Sequence, residues 1–65
     1  MDIGNVVLVN ESVRKSRYKY LGKTGVIALP ILPRGKGQTS YFVIIDGEDE
    51  NKPIKFLEDE LELLA

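Results

Sequence analysis

The apolar positions of this chain come in short runs, not in long helical stripes. Val6–Val9 ("VVLV") is the first run and Gly25–Leu29 ("GVIAL") the second, with Pro30 expected to stop it. Tyr41–Ile45 ("YFVII") is the third, closed by Asp46-Gly47, a strong turn dipeptide. In Pro53–Leu57 ("PIKFL"), Ile54 and Phe56 alternate with Lys55, and Leu61–Leu64 ("LELL") ends the series. Each run is too short for a helix and most are β-branched or aromatic, so each predicts a strand. The tail "LEDELELL" reads either as a helix of good formers or as a tight turn at Glu58-Asp59-Glu60 followed by a strand. The turn and strand are preferred, because five short strands in so small a chain need to close on themselves to remove exposed edges.

The expected fold is therefore all-β, one five-stranded small barrel spanning residues 1–65. Its core is expected from Val6, Leu8, Val26, Ile27, Phe42, Ile44, Ile54, Phe56, Leu61 and Leu63, with the alternation uncertain by one residue in each strand. Two connections are long for such a domain, Asn10–Lys23 and Pro30–Ser40, and long loops in compact domains tend to carry function.

Composition narrows the chemistry. Sixty-five residues make one domain, which buries only about 60% of its unfolded surface, so its stability is thin. With no cysteine there is no disulfide and no thiolate for zinc; with no histidine the commonest general base and metal ligand are missing. No signal peptide or membrane-spanning run is seen, so a soluble, cytoplasmic protein is expected. The net charge of −1 hides an asymmetry. Arg14 to Gln38 holds seven bases and no acid, whereas Asp46 to Glu62 holds eight acids against Lys52 and Lys55. Such a split speaks to partners.

Several motifs fail when their full requirements are applied. Gly22-Lys23-Thr24 ends like a phosphate-binding loop, but the position of the first glycine is Arg17 and a strand, not a helix, follows. Gly22 and Gly25 read instead as backbone requirements: a tight or left-handed turn, then a strand position where chains pass closely. "DGEDEN" lacks the calcium-loop spacing and reads as a solvated hairpin turn. Ser12-Val13-Arg14-Lys15 has a serine–lysine spacing with no other part of an acyl-transfer site. Pro30-x-x-Pro33-Arg34 resembles an SH3 ligand but more simply stiffens a hairpin. No catalytic residue, cofactor or metal is expected, and the chain is read as a non-enzyme.

The segments "IGNVVLVN" and "GKTGVIAL" together resemble the KOW motif, in which strand, turn and G-x-x-G-x-V open an SH3-like small barrel. "YFVIID" and "KFLEDELELL" resemble the closing strands of the small photosystem I reducing-side subunit and of the variable subunit of ferredoxin–thioredoxin reductase. The Phe56-Leu57-Glu58-Asp59-Glu60-Leu61 corner stands where those barrels have an aromatic-acidic corner before the last strand. The resemblance implies an SH3-like barrel; its KOW part implies nucleic-acid binding.

The candidate site lies in the basic loops. "VRKSRYKY" supplies Arg14, Lys15, Arg17, Tyr18, Lys19 and Tyr20, cations to attract anions and aromatic rings to stack on bases or fill pockets. It reads equally as a solvated loop with one tyrosine folded onto the barrel. Ile31, Leu32, Arg34 and Lys36 would form a mixed apolar and basic tip as a second contact. Two partners fit: the acidic surface of a larger protein or complex, or nucleic acid in the KOW manner. The mildly acidic chain favours the protein, because domains that live on nucleic acid tend to be strongly basic. The function expected is a docking module, small regulator or accessory subunit; its size also suits a viral or mobile-element product that inhibits a host machine. That expectation requires the basic loops to stand clear of the chain's own acids.

Overall fold

A computed structural model describes all 65 residues. It contains five strands, β1 (Val6–Val9), β2 (Thr24–Ile31), β3 (Ser40–Ile45), β4 (Ile54–Leu57) and β5 (Leu61–Leu63). Two 3₁₀ segments join them, η1 (Lys15–Tyr20) and η2 (Glu58–Glu60). The strands form one antiparallel sheet in the order β4-β3-β2-β1-β5. The all-β expectation holds, and so does the turn and strand in the tail. Pro30 does not stop β2, which pairs on through Pro30 and Ile31. The ring is tolerated because β1 pairs β2 only as far as Val26, leaving Pro30 a partner strand on one side only.

The outermost strands, β4 and β5, are consecutive in the chain. In a flat sheet they would lie four strand spacings apart, about 19 Å. The Glu58–Glu60 link reaches at most about 14 Å when fully extended, and here it is coiled tighter. The sheet therefore has to curl until its edges approach, and the Asn10 N–H donates to the Glu60 carbonyl at 2.9 Å, carrying the β1–β5 ladder one step into the link.

Two glycines make the geometry possible. Gly22 turns the chain into β2 with φ +79°, and a Cβ on Gly25 would lie 2.5 Å from the Ile44 carbonyl oxygen and 2.8 Å from Val43 Cγ1. Gly25 is the point where β1, β2 and β3 pack with no side chain between them.

The enclosed face carries Val7, Val9, Ile27, Tyr41, Val43, Ile45, Phe56 and Leu61, joined by Val13 and Tyr20 from the first connection. This corrects the expected core in four strands. Val6, Leu8, Phe42 and Ile44 are half-buried on the opposite face, and Val26 and Leu63 are exposed. β1 throughout and β3 from Tyr41 to Ile45 are apolar at every position, so their alternation carries no information about which face turns inward. Ile27, Phe56 and Leu61 are core as expected, and Ile54 packs at its edge.

Candidate functional site

The first connection is pinned at both ends by apolar anchors. Val13 and Tyr20 are buried, and the Tyr20 ring meets Phe56 edge-on, with centroids 5.9 Å apart at 81°. The bases of Arg14 and the following η1 segment fall into two sets.

Arg14 and Arg17 face the molecule. The Arg14 guanidinium donates to the Asp59 carboxylate at 2.8 and 3.3 Å, and its backbone N–H donates to Glu60 Oε2 at 2.7 Å. Arg17 Nη2 donates to both oxygens of Glu60 at 2.9 Å, and its guanidinium lies over the Phe56 ring, 5.7 Å from the centroid. Glu60 is fully buried and also accepts the Leu57 N–H at 2.7 Å, reaching back as the acid of a capping box does. Burial pushes the Glu60 carboxyl upward, but the Leu57 and Arg14 N–H groups and the Arg17 cation outweigh it and hold it below its ordinary value. Asp59 is likewise lowered, first by its hydrogen bond with Arg14, whose guanidinium is raised in return.

Part of the expected site is thereby reassigned. Arg14 and Arg17 are neutralised by acids of the same molecule, and Tyr20 belongs to the core. The requirement that the basic loop stand clear of the chain's own acids fails for these residues. The curl of the sheet brings η2 beside η1 across more than 40 positions of sequence. Lys15, Tyr18 and Lys19 are the outward set. All three are exposed, Tyr18 at 57%, and neither lysine pairs with a carboxylate. Lys19 Nζ lies over the Tyr20 ring, 5.1 Å from its centroid.

The β2–β3 hairpin supplies the second contact. Ile31 is half-buried as the last residue of β2, whereas Leu32 is 78% exposed and Arg34 and Lys36 are exposed without an ion pair. The base of this hairpin is tied to η2 as well. The Glu58 N–H donates to the Thr39 carbonyl at 3.0 Å, and the Asp59 N–H donates to Gln38 Oε1 at 2.8 Å. One 3₁₀ turn thus holds the η1 segment by Arg14 and Arg17 and the hairpin by Gln38 and Thr39. The two basic segments, distant in sequence, are neighbours across η2.

A cavity of about 220 Å³ lies beside this arrangement, lined by Arg17, Lys55, Phe56 and Leu57. It is smaller than ordinary small-molecule sites, which begin near about 300 Å³. Sequence reading missed it because Arg17 and Lys55 meet only through the fold. The acids of the β3–β4 connection stay in solvent, arranged as a turn: Thr24 Oγ1 donates to Asp46 at 2.6 Å, and the Asn51 N–H donates to Asp49 Oδ1 at 2.8 Å. No three His, Cys, Asp or Glu side chains gather as a metal site, and no helix is long and apolar enough to cross a membrane.

Comparison with known proteins adds no family: no protein-family model, curated protein or solved structure matches the chain.

Proposed function

We propose that this chain is a non-enzymatic docking module with an SH3-like small-barrel fold, a regulator or accessory subunit that binds an acidic, partly apolar patch on a larger protein. Support for the barrel comes from the strand order and the short link between the edge strands. The docking surface combines Lys15, Tyr18 and Lys19 with Leu32, Arg34 and Lys36. The observation that carries this reading is the double tether of η2, which spends its own acids on Arg14 and Arg17 and leaves four unpaired cations flanking it. Exposed Tyr18 and Leu32 supply the apolar anchors that such contacts need, while the cations steer and orient.

Nucleic-acid binding has less support than the sequence offered it, because Arg14, Arg17 and Tyr20 have internal roles. The test uses the wild type and a variant with Lys15, Lys19, Arg34 and Lys36 all changed to Glu, none of which breaks an internal ion pair. Affinity capture followed by cross-linking should join the wild type to one protein through these segments, and the variant should lose it. Equal recovery by both proteins removes the surface from consideration. A capture that nuclease abolishes, with Tyr18→Ala weakening oligonucleotide binding and a steep fall with salt, would establish the nucleic-acid reading instead.

A further inference from the structure

The outward face of the sheet has an apolar centre. Val6 stands opposite Val26, and Val26 opposite Ile44. The Leu64 N–H donates to the Val6 carbonyl at 2.8 Å, which extends the same row onto the end of β5. Next to this row, the Leu29–Phe42 pair lies on the same face, brought there by the register shift after Ile27. Val26, Leu29 and Leu64 are 36%, 51% and 53% exposed, and the other three are half-buried. Scattered apolar side chains on a surface need no explanation, but a row four chain segments wide does.

We propose that this face packs against the same face of a second copy of the chain, giving a two-fold dimer built as a sandwich of two sheets. Charge placement selects this occupant. Asp46 and Glu62 lie at one end of the face, two positions along their segments from Ile44 and Leu64, with the acidic β3–β4 turn beyond. Lys55 lies at the other end, opposite Phe42. A two-fold axis parallel to the sheet, midway between the two copies and across the strands, turns the partner end for end. It sets each Lys55 over the acidic end of the other copy and apolar row against apolar row. Such a contact closes on itself and stops at two copies. Aligned packing of two sheets face to face, about 10 Å apart, is a common way to bury apolar sheet faces. A stable interface needs about 800 Å² from each partner, less than a fifth of the 4370 Å² exposed by this chain. None of the docking residues Lys15, Tyr18, Lys19, Leu32, Arg34 and Lys36 belongs to this face, and substitutions at Val26 leave all six in place, so the dimer and the docking contact are tested separately.

Sedimentation equilibrium of the full chain from micromolar to millimolar concentration should give a dimer. Val26→Glu should weaken it about a hundredfold, since a carboxylate would enter an apolar contact. Val26→Thr, which keeps the strand-forming shape, should weaken it less while leaving the circular dichroism of the monomer unchanged. Mixed dimers of labelled and unlabelled chains should show intermolecular nuclear Overhauser contacts between Val26 and Ile44 methyl groups. A wild type that stays monomeric throughout the range overturns the proposal. So does a dimer that persists in both folded variants or shows no such methyl contacts.

Discussion

Two stretches of this chain are almost pure acid, the β3–β4 turn at Asp46–Glu50 and the η2 turn at Glu58–Glu60, and the fold uses them in opposite ways. In the first, the carboxylates point into solvent and organise little beyond the turn itself. In the second, one carboxylate is wholly enclosed and accepts from two backbone N–H groups and a guanidinium, while its neighbour holds Arg14. The difference lies in where the turn falls along the sheet. The β3–β4 turn protrudes beyond the strands it joins; η2 bridges the two edges of the curled sheet and is covered by η1. Acidic composition alone therefore does not predict an acidic surface.

The sharpest break of that comparison is Glu60→Ala. It strands the partly buried Arg17 and two N–H groups, and removing one partner of such a pair costs about 3–5 kcal/mol. The total stability of a chain this size is about 3–10 kcal/mol, so urea denaturation should show a marginal or unfolded variant. An unchanged midpoint would mean that η2 does not tether the two segments. Arg17→Met comes next, at about 2–3 kcal/mol, because Glu60 keeps its backbone donors but loses the guanidinium hydrogen-bonded to it, with only Arg14 left nearby at 3.9 Å. Combined with Glu60→Gln, it should cost less than the two single changes summed, with a coupling of about 1–2 kcal/mol in a double-mutant cycle. Strict additivity would dissolve the pair.

The pH response sharpens the same contrast. Glu60 and Asp59 titrate below their ordinary values of 4.5 and 3.8, so the folded chain binds these protons more weakly than the unfolded one. Their stabilisation is complete above about pH 5 and is lost as pH falls through the folded values. Thermal melts of the wild type should decline on that acid limb, and Glu60→Gln should flatten it. The smallest effect is expected at the other turn. Changing Glu48, Asp49 and Glu50 together to Gln should leave the melting temperature nearly unmoved, because none of these side chains makes an ion pair. A large shift there would erase the distinction between the two turns.

Particular strands show how far the sequence could be read. β4 was legible in both extent and face, because Lys55 between Ile54 and Phe56 states which side meets water. β1 and β3 were legible in extent only. "VVLV" and "YFVII" offer apolar groups to both sides, and a one-residue slip exchanges Val6 and Leu8 for Val7 and Val9. Their apolar outward positions underlie the proposed dimer face. In the basic segment, neither residue type nor spacing separates Arg14 and Arg17 from Lys15 and Lys19. Tyr20 could be suspected of folding inward, but not distinguished from Tyr18. The buried role of Glu60 had one faint trace, its position three residues after Leu57 at a strand-to-turn boundary, without the Ser or Thr that marks a full capping box.

Local chemistry along the chain determined the strands, the turns at Gly22 and Asp46-Gly47, the close passage at Gly25 and the all-β class. Those features depend on what a residue and its near neighbours can adopt. Only the tertiary structure decided which face of the sheet is enclosed, which two of the basic loop's cations are spent internally, and that η2 gathers both basic segments. These depend on a curl that brings residues more than 40 positions apart into hydrogen-bonding distance, and no local preference encodes that meeting.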